Sequence, residues 1–426
     1  MSFRPYPEYK DSGVEWLGKV PAHWRVKRLK YGFRLVTERA ETKDNPIALE
    51  NIESWSARYL PTDADFSGEG TSFGAGDVLF GKLRPYLAKA YLANSRGEAI
   101  GDFHVLRPSG DVEPSYGIYY IVNEPFISAI SGSTYGAKMP RIGWDVMGSI
   151  PLLQPPRREQ RKICSFLDHE IARTDALIEE QQRLIELLKE KRQAVISHAV
   201  TKGLDPDVPM KDSGVEWLGK VPAHWEIMSL KWRASSRSGD GIEAKEVESV
   251  KTSERGIPVI GGNGINGYTK KSNINPPALI LGRVGALCGN VHLADCPAWV
   301  TDNALIIEFD SDAFDIHYLG YLLEARDLND IADKTAQPLI TGSKVRSQAV
   351  PVPPEDEQKK IVSRLHEVLF EIDAMRGQVR KLVGLLKERR SALISAAVTG
   401  KIDVRSWEGP EGGMDEMTVK SGADAG

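Results

Sequence analysis

Basic, aromatic and amide side chains interleave in three glycine-containing loops of the sequence. The loops read GKLRPYLAKAY at 81–91, STYGAKMPRIGW at 133–144 and GGNGINGYTKKSN at 261–273. Arg and Lys bind phosphate oxygens and guanine edges, whereas Tyr, Ser and Asn add adaptable hydrogen bonds, so this composition is suited to contacts with a nucleic acid. Solvated loops of the same composition are also common, and composition alone leaves both interpretations open. The candidate DNA-binding residues are Lys82, Arg84, Tyr86, Lys89, Tyr135, Lys138, Arg141, Asn263, Tyr268, Lys270, Lys271 and Arg283.

Four further patterns match known chemical sites only in part. GDVLFGKL at 76–83 has phosphate-loop spacing, but Leu83 stands where a Ser or Thr must hold magnesium. NPPA at 275–278 lacks the aromatic residue that stacks on a flipped base, and EQK at 357–359 lacks the upstream aspartate of a nuclease. Cys288, His292 and Cys296 are spaced by four, yet no fourth ligand is evident. No catalytic residue and no metal ligand is therefore predicted.

The sequence contains a long internal duplication. KDSGVEWLGKVPAHW occurs at 10–24 and again, unchanged, at 211–225, an offset of 201. At the same offset LFGKL (79–83) falls on ILGRV (280–284), which makes Lys82 correspond to Arg283; further on, the offset is 198. The chain is thus two consecutive units of about 200 residues, each with a globular front and a rear helix. His23 and His224, inside the duplicated segment, are predicted to be structural because no nucleophile accompanies both.

The rear segments have the apolar period of a coiled coil. In the first, Leu167, Ile171, Ile178, Ile185 and Leu188 belong to a series that steps by three and four residues, and the second copy repeats it. Each series follows a proline pair, which is tolerated near a helix start. The two helices can bury their seams against each other, and antiparallel pairing is favoured over parallel because it relates the two units by an approximate two-fold axis.

These patterns predict an α+β fold of mixed α/β globular domains with long helices and a pseudo-two-fold internal repeat. Strands are expected at 47–52, 77–83, 102–108, 278–284 and 304–309, and shorter helices at about 115–130 and 315–326. The predicted domains are a first front at 1–155, a long spacer helix at 156–203, a second front at 204–350, a second spacer helix at 351–403 and a disordered tail at 404–426.

Composition bounds the possible partners. The net charge is −4; residues 1–155 are neutral and residues 206–350 carry −4, so any DNA contact must come from local patches or be shared with a partner. The N-terminus does not read as a signal peptide, no apolar run is long enough for a membrane span, and three scattered cysteines suit a reducing compartment. We expect a cytoplasmic protein.

The duplicated VPAHW segment, the helix starts PPRREQRKICSFLD and PPEDEQKKIVSRLH and the junction TKGLDPDVPMKDSGVEWLG resemble, as a set and in this order, the specificity subunits of type I restriction-modification systems. The resemblance covers residues 9 to 405. It implies that each front is a target recognition domain for one half of a split, asymmetric double-stranded DNA sequence. It also implies that the two helices form an antiparallel coiled coil that sets the gap and carries two modification subunits.

The resemblance further implies that the chain is not an enzyme alone. S-adenosylmethionine, ATP and Mg are then expected on partner subunits: modification subunits that methylate adenine N6, and restriction subunits that translocate and cleave DNA. The family does not assign base contacts residue by residue, so the candidate residues rest on composition and on the correspondence of Lys82 with Arg283. Two alternatives remain, namely a coiled-coil scaffold that joins two protein partners without DNA selectivity, and a stand-alone methyltransferase or nuclease.

Overall fold

The chain divides into two compact units, each of which combines one front with parts of both long helices. The computed structural model describes residues 4–40, 45–62, 69–136, 138–285, 287–333 and 338–409. Unit 1 comprises Met1–Gln181 and Lys381–Gly426, and unit 2 comprises Gln182–Arg380. Among the described residues, no helix combines the length and the hydropathy that a membrane span requires.

Two helices of more than forty residues dominate the helical structure. The predicted long helices are confirmed, and each begins directly after its proline pair. The segment predicted as one helix at 115–130 is two, because the Asn123 side chain caps the second: its amide oxygen accepts a hydrogen bond from the backbone N–H of Phe126. The helices are α1 (Pro114–Ile121), α2 (Glu124–Ser131), α3 (Trp144–Met147), α4 (Arg157–Lys202), α5 (Ile316–Ala325), α6 (Gly342–Arg346) and α7 (Glu355–Val398).

Unit 1 is built around a four-stranded antiparallel sheet with the order β4-β10-β7-β8. β3 pairs with β11, which leads into α4, and β9 lies between β5 and β6 in a separate sheet. Of the segment predicted as a strand at 47–52, only Ile47 lies in one, at the end of Pro46–Ile47, because Leu49–Asn51 forms a 3-10 turn. The strands are β1 (Tyr9–Asp11), β2 (Lys19–Pro21), β3 (Arg25–Arg28), β4 (Phe33–Val36), β5 (Pro46–Ile47), β6 (Gly70–Phe73), β7 (Val78–Gly81), β8 (Ala90–Leu92), β9 (Gly97–Ile100), β10 (Phe103–Pro108) and β11 (Pro151–Gln154).

Unit 2 repeats the central sheet and changes the small one. Its four-stranded sheet has the order β15-β21-β18-β19, which matches the order in unit 1 strand for strand. The small sheet differs: in unit 2 a β-hairpin, β16–β17, supplies its central strand and one edge strand. The strands are β12 (Met210–Asp212), β13 (Lys220–Pro222), β14 (Glu226–Ser229), β15 (Ala234–Ser238), β16 (Ile257–Gly261), β17 (Gly264–Thr269), β18 (Ala278–Gly282), β19 (Val291–Ala294), β20 (Trp299–Val300), β21 (Ala304–Phe309) and β22 (Ala349–Val352).

Within each unit, α4 and α7 are antiparallel. In unit 1, Leu167 near the start of α4 shares a buried core with Val398 at the end of α7. About two turns further along α4, Asp175 forms an ion pair with Arg390, which precedes Val398 in α7. Residue numbers therefore rise along one helix as they fall along the other. Unit 2 repeats the relation, since Val200 shares a core with Ile361 and Arg192 pairs with Asp373. The predicted antiparallel pairing is confirmed within each unit.

The start of the segment predicted to be a disordered tail packs against unit 1. Val404 is fully buried, and the Trp407 ring lies edge-on to Phe166 with its centroid 5.6 Å away. A glycine-rich acidic composition hides these two apolar residues, whose burial orders the chain as far as residue 409. Residues 410–426 of that predicted tail lie outside the described residues.

Candidate nucleic-acid interface

Both units attach the start of a long helix to the front with the same glutamine. The Gln160 side chain is buried, accepts one hydrogen bond from a backbone N–H and donates two to backbone carbonyls, at 2.8 to 2.9 Å. Gln358 makes the same three bonds over the same range of distances. Because every partner is a backbone group, the attachment tolerates change in the side chains of the front. The partners are Glu113, Asp111 and Pro155 in unit 1, and Asp315, Ala313 and Pro353 in unit 2.

The duplicated segment reaches the same helix turn through its histidine. His23 Nε2 lies 2.8 Å from Glu159 Oε2, and His224 Nε2 lies 2.8 Å from Glu357 Oε2. Each glutamate directly precedes the glutamine that anchors its helix. The repeated fifteen residues therefore fix a helix start in each unit, and this structural role explains why two fronts of different sequence keep them.

The two copies differ at their buried tryptophans. Trp24 Nε1 donates to Glu159 Oε1 at 2.9 Å, and the hydroxyl of Tyr6 donates to the same oxygen at 2.7 Å. Burial, followed by this bond to a carboxylate, raises the pKa of Tyr6 well above its usual range, so the phenol stays a donor. Trp225 Nε1 is also buried but has no hydrogen-bond partner among the described residues. The duplicated segment of unit 1 therefore makes more hydrogen bonds to its long helix than the duplicated segment of unit 2.

In unit 1, Lys82 and Arg141 meet beside the end of β7. The backbone N–H of Lys82 donates to the carbonyl of Asp102 at 2.8 Å, and its carbonyl accepts from the N–H of Ile142 at 3.0 Å. Arg141 closes a turn that opens at Tyr135, and the backbone groups of these two residues exchange bonds of 3.0 and 2.9 Å. Two loops that are more than forty residues apart in the sequence therefore form one surface.

Asp102 lies between the two cations. Its Oδ2 accepts a hydrogen bond from Arg141 Nη2 at 2.8 Å, and its Oδ1 is 3.7 Å from Lys82 Nζ. Its carboxylate is less exposed than either cation. Asp102 is not among the sequence candidates, which were chosen for positive charge. The signal that identifies it is register: Phe103 of β10 pairs with Gly81 of β7, so the residues beyond this pair must meet.

Four other candidates of unit 1 lie on the same two segments. The backbone N–H of Arg84 donates to the carbonyl of Pro140 at 2.7 Å, which ties the segment after Lys82 to the turn before Arg141. All four side chains are exposed, and the apolar side chain of Met139 beside them is exposed as well. These candidates are Arg84, Tyr86, Tyr135 and Lys138.

Lys89 has a different role from the other candidates. Its ammonium group donates to the backbone carbonyl of Leu49 at 2.6 Å, and the residue is half-buried. Its own carbonyl accepts from the N–H of Gly81 at 2.8 Å, inside the sheet. The Lys89 cation therefore braces the fold, and the structure does not bring it to the surface that holds Lys82.

In unit 2, Arg283 has the backbone position that Lys82 has in unit 1. Its N–H donates to the carbonyl of Asn303 at 3.0 Å and its carbonyl accepts from the N–H of Ile340 at 2.9 Å, at offsets of 201 and 198. Its Nη1 lies 3.4 Å from Ser238 Oγ. Its Nε is buried without a hydrogen-bond partner among the described residues. The correspondence between Lys82 and Arg283 predicted from the duplication thus has a structural counterpart.

Asn263 lies next to the Arg283 segment. With Gly262 it forms the two-residue turn between β16 and β17. A Cβ atom added to Gly262 would lie 3.1 Å from the carbonyl oxygen of Asn303 and 3.6 Å from that of Val284, so a glycine lets the turn approach this closely. Asn263 and two apolar side chains that the candidate set omits, Ile265 and Leu287, are exposed on these segments.

The remaining candidates of unit 2 lie at the opposite end of β17. Lys270 Nζ is 2.8 Å from a Glu254 carboxylate oxygen, and Lys271 Nζ is 2.6 Å from one of Glu246. These hydrogen bonds lower the pKa of both glutamates. The length of the strand, roughly 16 Å, separates this pair from Asn263. Tyr268 lies beside them, with its backbone bonded to Glu248. The structure does not bring these three candidates together with Arg283.

The partial motifs have ordinary structural positions. The segment 76–83 forms β7 and its flanking turns, and the buried Asp77 within it pairs with Arg107 at 2.7 Å. NPPA ends at Ala278, the first residue of β18, and EQK begins in the first turn of α7. Cys288 is held by Asn329, whose side-chain amide donates to its carbonyl at 2.9 Å. Within the described ranges, no group of three His, Cys, Asp or Glu side chains is arranged to hold a metal ion.

Comparisons with known proteins agree on one kind of protein. A family model described as the type I restriction modification DNA specificity domain matches residues 223–382, which include most of the second front. The EcoprrI specificity subunit of Escherichia coli is 32% identical over 161 residues, which are 38% of each chain. The MjaVIII specificity subunit of Methanocaldococcus jannaschii is 24% identical over 66% of this chain and 68% of its own. A putative MjaX specificity subunit from the same organism is 21% identical over 92% and 96%.

A solved structure extends the similarity to the whole fold. One chain of a structure that concerns complex assembly and conformational transition of the type I R-M system is similar to this chain with a TM-score of 0.68. The similarity covers 89% of this chain and 98% of that one, at 17% identity. Such a low identity establishes the fold alone, including the two fronts and the two long helices. The family model and the curated relatives agree with this fold, and the chain is therefore similar in sequence and in fold to the specificity subunits of type I restriction-modification systems.

Proposed function

We propose that the chain is the sequence-specific DNA-recognition subunit of a type I restriction-modification complex and reads a bipartite, asymmetric target. The observation that carries the proposal is the equal backbone position of Lys82 and Arg283 within different surroundings. An Arg or Lys on such a turn reaches a phosphate or a guanine edge. Two fronts that are attached to their helices in the same way but have different surfaces support the recognition of two dissimilar half-sites.

The charge of the chain favours shared binding of the DNA backbone. Neutralised phosphates supply most of the affinity of DNA-binding proteins, whereas residues 206–350 carry a net charge of −4. Several cations of the candidate surfaces are also paired with carboxylates, as in Lys270 with Glu254. We infer that partner subunits make many of the phosphate contacts and that this chain supplies the selectivity.

The helix pairs favour two copies of one protein partner. Each unit exposes three apolar residues of the long helices that correspond at the offset of 198, and unit 2 also exposes Phe370, whose counterpart is Ala172. Apolar side chains that are exposed on both copies suit equivalent contacts with two identical proteins. We assign these contacts to two modification subunits, with restriction subunits joining the same complex. The residues are Leu177, Leu382 and Leu385 in unit 1, and Met375, Leu184 and Leu187 in unit 2.

The proposed chemistry belongs to the partners. In this proposal the modification subunits hold S-adenosylmethionine and methylate adenine N6, the restriction subunits use ATP and Mg, and this chain has no catalytic role. The scaffold alternative is not favoured, because the match to a DNA specificity domain covers a front and not only a helix. A protein that only joined two partners would not need two fronts with the same backbone arrangement and different surfaces.

Mapping of N6-methyladenine tests the proposal. Cells with this chain and its modification subunit should methylate one bipartite, non-palindromic motif, and the motif should disappear when the chain is deleted and return on complementation. The matched control is deletion of the modification subunit, which should remove the same motif. Methylated motifs that persist after deletion of this chain, with an active modification subunit present, would show that another protein selects the target.

A further inference from the structure

We propose that Asp102 is a positioning residue that orients Arg141 and Lys82 to read a guanine-containing step in the half-site of unit 1. The inference rests on the proposed function and deepens it, because it assigns one determinant of selectivity. Its basis is the carboxylate of Asp102, which lies inside a predicted DNA-binding surface. A negative charge there repels the DNA phosphates, so its presence calls for a specific role.

The carboxylate holds both cations in the free protein. One oxygen accepts from Arg141 Nη2 at 2.8 Å, and the other lies 3.7 Å from Lys82 Nζ. A guanidinium has five N–H donors in a fixed fork, so one bond to Asp102 orients the group and leaves the others for a ligand. A free arginine would have to lose its rotamer freedom on binding.

Unit 2 shows that the backbone of this region adopts the same hydrogen bonds without the ion pair between Asp102 and Arg141. Asn303 replaces Asp102 and Leu339 replaces Arg141, at offsets of 201 and 198, yet the backbone bonds around Arg283 are those around Lys82. The turn that Arg141 closes through Tyr135 also recurs, as the bridge between Asp333 and Leu339. The fold therefore forms without the ion pair between Asp102 and Arg141, and the presence of this pair in unit 1 is explained by what the surface binds.

The chemistry of the group suits a guanine and its cytosine. Arginine donates two parallel hydrogen bonds to guanine O6 and N7, and a lysine donates to the same atoms. The carboxylate of Asp102 is an acceptor that suits the N4 amino group of cytosine. Phosphates, by contrast, repel it. A surface selected only for phosphate contacts would gain affinity from the asparagine that unit 2 carries, so the aspartate favours base reading.

The test compares Asp102→Asn with Asp145→Asn in the complete complex with modification subunits. Asp145 is an exposed carboxylate of the same unit with no side-chain partner among the described residues, so its variant makes the same change in charge. Each complex methylates a random-sequence DNA library, and the methylated fraction is sequenced. Asp102→Asn should lose about 5- to 150-fold in discrimination at one or two positions of one half-site. The other half-site, and both half-sites of Asp145→Asn, should stay unchanged.

A second comparison separates positioning from a structural role. Arg141→Leu, the residue that unit 2 carries, should relax the same positions, and adding Asp102→Asn to it should change little more. Selectivity of Asp102→Asn equal to that of the unaltered complex would overturn the inference. So would an equal loss at both half-sites, or full additivity of the two substitutions. If the unaltered complex selects no bipartite motif, the proposed function itself fails before any variant is compared.

Discussion

The Nε atom of Arg390 on α7 lies 3.2 Å from Oδ1 of Asp175 on α4, inside unit 1. This ion pair does not have the geometry of a hydrogen bond at Nε, but the same guanidinium donates to the carbonyls of Trp55 and Ser56 at 2.9 and 3.1 Å. Asp175 also pairs with Arg58 at 2.8 Å. The group thus joins both helices to one loop of the front.

The equivalent pair in unit 2 is looser, and this difference predicts unequal effects of one substitution. Asp373 is 3.7 Å from Arg192, and its side chain is 51% exposed against 14% for Asp175. Asp175→Asn should lower the free energy of unfolding by about 1–3 kcal/mol, because the shielded guanidinium of Arg390 loses its counter-charge and the more exposed Arg58 loses one of its two partners. Asp373→Asn should cost less than about 1 kcal/mol, as exposed pairs do. Urea unfolding measures both, and equal costs would contradict the role given to Asp175.

The buried tryptophans of the duplicated segment provide a second matched comparison. Trp24→Phe and Trp225→Phe remove the same volume from two fully buried sites, but only Trp24 loses a hydrogen bond to a carboxylate. We expect Trp24→Phe to lower the free energy of unfolding by about 1–3 kcal/mol more than Trp225→Phe. Urea unfolding of the two variants against the parent protein measures this difference. A larger cost at Trp225 would show that packing, and not the Glu159 bond, governs the site.

The helices and the repeat were predictable because their signals are local or written twice. The seam residues of α4 recur at the helical period, and Leu167, Ile171 and Ile178 are buried as that period predicts. The first helix begins one residue after its predicted start at 156, and the second begins at Glu355, four residues after its predicted start at 351, because β22 occupies Ala349–Val352. Antiparallel pairing followed from the symmetry of two like units, a property that one copy alone would not have revealed.

The make-up of the candidate surfaces was less predictable, because it depends on contacts between distant segments. Arg141 meets Lys82 through backbone bonds between two distant loops, and the pairing of β7 with β10 brings Asp102 between them. Lys270 and Lys271 have the composition of DNA-binding residues, but glutamates at positions 254 and 246 neutralise them. Composition records which side chains a loop carries, whereas partners more than ten residues away decide which of them remain available.

Acid should weaken unit 1 through Glu113. Hydrogen bonds from Arg161 and Arg157 lower the pKa of this carboxyl below its ordinary value of 4.5. A carboxylate with a lowered pKa stabilises the fold above its unfolded pKa, and that stability is lost as the pH falls through the folded pKa. Glu113→Gln should therefore be less stable than the parent protein at about pH 7, and the gap should narrow below about pH 4.

Urea unfolding at several pH values measures this gap. Glu53→Gln is the control, because Glu53 is an exposed carboxylate of the same unit without a side-chain partner in the described ranges. Its gap to the parent protein should be small and nearly independent of pH. A Glu113→Gln gap that stays constant from about pH 7 to about pH 3 would show that the two arginines do not stabilise the ionised form.

Exchange of one front should change one half of the DNA target. Gln358 holds α7 through backbone groups of the front. A front from another specificity subunit that keeps the VPAHW segment can therefore be attached to α7 by the same hydrogen bonds. Replacement of residues 206–350 should alter one half-site and leave the other unchanged. A mismatched base pair in the old half-site costs the parent complex about 1–3 kcal/mol, and the complex with the exchanged front should tolerate it. N6-methyladenine mapping reads both halves at once. The reciprocal exchange of residues 1–155 should alter the opposite half, and a change in both halves after either exchange would mean that the fronts do not read independently.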